Sequence, residues 1–206
     1  MPTKTDGQVI SSRAEARRAQ ILDAAADCFR KHGFHGASIA RISKMSGMSP
    51  GHMYHYFDNK EAIIASIVAA DVDQVMTLAA ELRAACDVRE AMTVRAVEGM
   101  KQQLDPATAG LAVEIVAEAA RNVRIAEIVR AADEVTRACL VDIVRQVRRQ
   151  DGRPDDDASV TAIAEMIAVM FDGLLVRAIR HPELDHTRFI EVFRRTLLSL
   201  LDQDAC

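Results

Sequence analysis

Between Ser49 and Lys60 the run SPGHMYHYFDNK carries two histidines, two tyrosines and a glycine. At about 100° per residue, Gly51 and His55 fall on one side with His52 and Tyr54 flanking them, while Met53 and Phe57 fall on the other. Imidazole and phenol groups reach base edges and phosphate oxygens, and glycine admits close backbone approach, so the chemistry this face offers is recognition of a major groove. Ser38, Ser49, Tyr56 and Lys60 add hydroxyls and an ammonium suited to the phosphate backbone.

Catalytic or metal chemistry finds less support. The chain holds no Gly-rich phosphate loop, no nucleophile elbow and no carboxylate pair set to separate two pKa values, so neither an enzyme nor a cofactor is expected. His32, His35, His52 and His55 are close in sequence, but the last two are already used by the polar face and the first two straddle the glycine that ends a helix. Cys28, Cys86, Cys139 and Cys206 are widely spaced without a CxxC, which leaves no metal site and no disulfide framework. A redox role for one of them stays open.

Two short helices must position the polar face. Ile39, Ile42, Ser43 and Ser46 share one side of a helix that Ser38 caps and Gly47 ends; Ser49 and Pro50 then open the next. With only Gly47 and Met48 between them, the pair reads as a helix-turn-helix. The second helix, at about seven residues and 10 Å, is too short to stand alone, so Met53 and Phe57 are expected against Ile42 and Met45. A preceding helix presents Leu22, Ala25, Ala26 and Phe29 inward and stops at Gly33; Arg13, Arg17 and Arg18 at its start suit either DNA backbone or solvent.

The residues Gly33-Phe34, Ser38-Ile39-Ala40, Ile42, the run Ser46 to Gly51, Tyr54, Tyr56-Phe57 and Lys60-Glu61 closely resemble the N-terminal domain of TetR-type (TetR/AcrR) transcriptional regulators. Ser43 and Ser46 depart from the alanine usual there; either hydroxyl can bond back to its own helix, so the fold should survive. The segment Gly110 to Glu134 also looks like the C-terminal domains of one branch of that family. The resemblance implies an all-α protein that binds a DNA operator as a homodimer and responds to a small-molecule effector.

Composition agrees with helices: half the residues are apolar but only 4% are aromatic, and β-branched alternation is absent. Residues 1–60 carry nine Lys/Arg against five Asp/Glu, a balance of +4 in a chain of −4, so residues 61–206 stand at −8. A basic head on an acidic body suits a protein of which one end meets phosphates. No apolar stretch of 18 residues lacks charge and the N-terminus carries no signal-peptide pattern, so no membrane partner and a cytoplasmic location are expected.

The pattern predicts about nine helices and three regions: a flexible arm over 1–12, a DNA-binding domain over 13–60, and an effector-binding and dimerisation domain over 61–206. Asp58 or Asn59 caps a fourth helix running to about Ala85 that links head to body; breaks at Asp105-Pro106, Asp151 to Pro154 and His181-Pro182 separate later helices. Glu114, Glu118 and Arg121 share a face that would orient a ligand or form a solvated stripe.

The last two helices are apolar on more than one side, and Leu174, Leu175, Phe193, Leu197 and Leu201 are expected in a homodimer interface. Met92, Met100, Met166, Met170 and Phe171 are expected to line a pocket for an apolar or amphipathic effector, thioethers being adaptable, although methionines at helical spacing also fill ordinary cores. The function that emerges is a ligand-responsive regulator, a repressor on a palindromic operator. The alternative is a DNA-binding architectural or partner-regulated protein with no small-molecule ligand.

Overall fold

The computed structural model describes the backbone of residues 4–203 and the side chains of 13–203. Among these there are nine helices and no strand: α1 (Lys4–Gly36), α2 (Ile39–Ser46), α3 (Pro50–Met53), α4 (Lys60–Arg83), α5 (Val88–Gln103), α6 (Pro106–Ala119), α7 (Val123–Gln150), α8 (Asp157–Arg180) and α9 (His186–Leu201). Of the arm expected over residues 1–12, residues 4–12 continue α1 as helix, and residues 1–3 lie outside the described residues.

Each helix from α2 to α9 starts at a short polar side chain that accepts a backbone N–H of its first turn. The caps are Ser38, Ser49, Asn59, Asp87, Asp105, Asn122, Asp156 and Asp185. Such a cap contributes about 1 kcal/mol. Asn59, not Asp58, caps α4, its Oδ1 taking the Ala62 N–H at 2.8 Å. Gly47 ends α2 in the left-handed region at φ 69°, where a side chain would be strained.

The chain forms two compact units, residues 1–69 with 114–128, and residues 70–113 with 129–206. In the first, Ile21, Ala25, Cys28 and Phe29 of α1 are buried, as are Ile42 of α2, Met53 and Phe57 around α3, and Ile63, Ile64 and Ile67 of α4. Of the inner face expected for α1, Ala25 and Phe29 are buried while Leu22 and Ala26 are half-exposed, so the face centres on Ile21 and Cys28. Met45, expected inside, is exposed; it follows Lys44 on the outer side of α2. The buried Ser43 and Ser46 hydroxyls donate back to the carbonyls of Ala40 and Ser43, which satisfies them in place.

The second unit holds two apolar clusters. One joins Met92 of α5 to Val144 and Val147 of α7, Ile163 and Ile167 of α8, and Leu197 and Leu201 of α9. The other joins Met100 and Leu104 to Leu174, Ala178 and Phe193. Phe171 packs against both and meets the Phe193 ring edge-on at 5.4 Å.

These clusters correct the expected dimer interface. Leu174, Phe193, Leu197 and Leu201 are buried within their own chain, and Leu175 is half-buried against the Met100 cluster. The apolar residues left outside are Met166, Val169, Val176 and Ile179 on α8 and Val192 on α9. Met166, expected in a pocket, is 49% exposed because it flanks, and does not share, the buried face of α8 that Ile163 and Ile167 carry. Met92 and Met100 are core residues, and Met170 packs beside Met100. α4 and α8 are long and apolar enough to cross a membrane by composition, with mean hydropathies of 1.6 and 1.8 over 18 residues, of which 28% are buried in each.

Arg148 on α7 is 0% exposed, yet its guanidinium is held by carbonyls: Nε donates to Pro154 at 2.6 Å, and Nη1 to Leu201 and Gln203 at 3.1 and 2.7 Å. It thereby occupies the negative C-terminal end of α9. Around it, Arg89 of α5 bridges Asp151 and Asp202 at 2.5 and 2.9 Å.

Candidate nucleic-acid interface

The helix-turn-helix is built from α2 and α3, and α3 is shorter than expected: regular helix covers Pro50–Met53, and residues 54–56 continue as a tighter turn. The Tyr56 and Phe57 amides both return to the Met53 carbonyl, at 2.9 and 3.0 Å. Because Met53 and Phe57 are buried, the residues between and around them are driven outward. Gly51, His52, Tyr54 and His55 are all exposed, and a Cβ on Gly51 would meet nothing within 4 Å. His52 packs edge-on against Tyr56 at 5.4 Å and His55 at 6.1 Å, forming one polar aromatic surface.

Ser38 and Ser49 use their oxygens as helix caps, accepting from Arg41 N at 3.1 Å and His52 N at 3.2 Å. A capping hydroxyl still has its own proton to donate. Lys60 is placed differently. Its Nζ donates to the Phe34 carbonyl at 2.7 Å and lies 4.3 Å from the Phe34 ring centre, so it staples the end of α1 to the start of α4. The sequence pattern, which gave it a backbone-contacting role, contains no sign of that internal bond.

The amide side of Phe34 is held by α6. Glu114 Oε1 accepts the Phe34 N–H at 2.6 Å, beside Gly33, whose φ of 66° and ψ of 169° interrupt α1. One turn on, Glu118 is 1% exposed, with Oε2 3.3 Å from His35 Nε2 and 3.5 Å from Arg121. That oxygen makes no well-aligned hydrogen bond, so the contacts are of charge and proximity rather than of directed bonding. Glu114 and Glu118 are therefore not a solvated stripe; both reach the end of α1.

Of the three arginines at the start of α1, Arg18 turns inward. It donates to the Tyr56 carbonyl at 3.4 Å and Ser66 Oγ at 2.5 Å, and stacks 4.5 Å from the Phe57 ring centre. Arg13 and Arg17 instead line an open cleft of about 600 Å³ with Ser49, His52 and Tyr56. Among the described residues no group of three or more His, Cys, Asp or Glu is placed to hold a metal ion. Burial raises the Cys28 thiol pKa, against the partial opposition of Arg41.

An all-helical chain with a short helix-turn-helix before a larger helical unit is the architecture of a DNA-binding regulator. Residues 21–67 match the family "Bacterial regulatory proteins, tetR family", and residues 90–202 match "BetI-type transcriptional repressor, C-terminal". This chain belongs to the TetR family.

Similar proteins include the transcriptional regulator UidR of Escherichia coli K12, 33% identical over 128 residues, which are 59% of this chain and 61% of UidR. The matched region thus spans about six-tenths of that relative's length. The repressor AcnR of Corynebacterium jeikeium is 27% identical over 78% of this chain and 80% of its own. Salmonella enterica GusR superposes with a TM-score of 0.75 at 28% identity, over 91% of this chain and 96% of GusR. FadR of Bacillus subtilis, solved with stearoyl-CoA, shares the fold with a TM-score of 0.72 at 20% identity, over 91% of this chain and 99% of FadR.

Proposed function

We propose that this protein is a ligand-responsive transcriptional repressor that binds duplex DNA in the cytoplasm through residues 13–60. The observation that carries this reading is the exposed set Gly51, His52, Tyr54 and His55, displayed on a turn whose Met53 and Phe57 are buried. Gly51, His52, Tyr54 and His55 meet base edges, while Ser38, Ser49 and Tyr56 meet phosphates. Lys60 acts from behind, holding the turn that carries them.

Residues 61–206 provide effector binding and dimerisation. The second copy packs on the exposed stripe Met166, Val169, Val176 and Ile179 of α8 with Val192 of α9. A stripe of that kind, on a helix with little more than a quarter of its apolar window buried, supports a covering partner. A twofold dimer calls for an inverted-repeat operator, its half-sites at least one helical turn apart, about 34 Å.

An apolar or amphipathic effector enters between the two clusters of the second unit, where Phe171, Met170 and Met100 can give way. By binding one conformation better it shifts the population away from the DNA-competent state, with a coupling of about 1–3 kcal/mol.

The test is selection of duplexes from a random library, then anisotropy titration of the enriched sequence with and without compounds that raise the protein's melting temperature. An enriched inverted repeat released by a stabilising compound is expected. Failure to enrich any duplex sinks the DNA reading; stabilising compounds that leave DNA affinity unchanged sink the switch.

A further inference from the structure

The cleft between α1 and the helix-turn-helix turn is not explained by base reading. Its walls are Arg13 and Arg17 from α1 and Gly47, Met48, Ser49, His52 and Tyr56 from the turn and α3. It thus combines two guanidinium groups, two hydroxyls and an imidazole, which is a donor set for a phosphodiester.

Arg17 is also held in place. Its Nη1 donates to Gln20 Oε1 at 2.9 Å, and Gln20 Nε2 in turn donates to the Ser46 carbonyl at 2.7 Å, in the last turn of α2. This two-bond relay fixes an otherwise flexible cation against the carbonyl end of the first motif helix. A guanidinium whose rotamers are already restricted loses less entropy on meeting an anion. Arg18, one residue on, is spent on Tyr56, Ser66 and Phe57, so adjacent arginines have separate uses.

We propose that Arg17 and Tyr56 clamp one backbone phosphate of duplex DNA in this cleft, with Arg13 and Ser49 beside them and Gln20 as the positioning residue for Arg17. The proposal rests on the DNA-binding reading above and adds a contact from α1, outside the helix-turn-helix. A phosphate contact carries no sequence information, so its loss weakens every duplex alike.

The experiment measures affinity of the full chain for its selected duplex and for a scrambled duplex across a salt series. Arg17→Ala, Gln20→Ala and the double variant are compared with wild type, and thermal melts establish that each is folded. Arg17→Ala should weaken both duplexes by roughly tenfold, the scale of one charge-assisted contact, and lower the magnitude of the salt slope by about 0.9. Gln20→Ala should weaken both while keeping the wild-type slope, because the charge remains.

In the Arg17→Ala background, Gln20→Ala should cost nothing further. Unchanged affinity and slope in folded Arg17→Ala would overturn the clamp while leaving DNA binding intact. An equal loss from Gln20→Ala with and without Arg17 would overturn the positioning role. A wild-type protein that binds no duplex at any salt would remove the underlying DNA reading as well, which is a distinguishable result.

Discussion

The Glu114 carboxylate accepts the Phe34 N–H at 2.6 Å, while Lys60 donates to the Phe34 carbonyl at 2.7 Å, so the backbone on both sides of one residue is gripped, from α6 and from α4. Glu114→Ala leaves that amide without its acceptor and should lower stability by about 1–3 kcal/mol. Glu114→Gln, which keeps an acceptor oxygen, should recover most of it. Urea unfolding of both variants checks this, and equal losses would show that charge, not the hydrogen bond, matters.

Gly33 sits beside that carboxylate with φ 66° and ψ 169°, and a Cβ there would lie 3.1 Å from Glu114 Oε1. Backbone of this kind is nearly restricted to glycine, so Gly33→Ala should cost about 1–3 kcal/mol. If Glu114→Ala in the same chain removes part of that cost, the contact with the carboxylate contributes; if it removes none, backbone strain is the whole cause.

In the second unit, Arg148→Ala strips partners from the Pro154, Leu201 and Gln203 carbonyls and opens a void at a fully buried position. Destabilisation of about 3 kcal/mol or more is expected. Arg148→Lys should rescue little, because one ammonium cannot reproduce the fork that spans these carbonyls. Full rescue by lysine, read from thermal melts, would contradict this.

Corrected burial separates two outcomes that the expected interface would have merged. Val169→Asp or Val176→Asp, on the exposed α8 stripe, should give a folded monomer by light scattering and circular dichroism. Leu197→Asp, at a fully buried core position, should unfold the unit at a cost of several kcal/mol. Dimers that survive a charge at both valines would move the interface elsewhere.

The Asp172 carboxyl, on a residue exposed overall, is pushed above its ordinary pKa, first by partial desolvation and then by the negative charge of Asp133. Raised in the folded state, it binds its proton more tightly folded than unfolded, so ionisation opposes folding; the penalty is complete above the folded pKa and disappears below the unfolded value of about 4. Asp172→Asn should therefore melt higher than wild type at neutral pH, with the difference fading as pH falls towards that value. A difference independent of pH would attribute the gain to packing.

Helix boundaries were legible in the sequence because their causes are local. Ser38, Ser49 and Asn59 cap the residues that follow them, and Gly47 stops α2 through its own backbone freedom. The outward set Gly51, His52, Tyr54 and His55 was legible for a related reason: it is polar where Met53 and Phe57 are apolar, and alternation on a short helix leaves one arrangement.

Where a helix is apolar all round, that contrast vanishes. On α8 nothing in the residue types marks Leu174 as inside and Val169 as outside; only the packing of α5, α7 and α9 against it decides it. The same holds for charged residues whose partners are distant in the chain. Glu114 meets Phe34 80 residues away and Arg148 meets Leu201 53 residues away. Lys60 closes on Phe34 only once α1 has turned at Gly33, so its inward role belongs to the tertiary structure, which brings those two polar groups together.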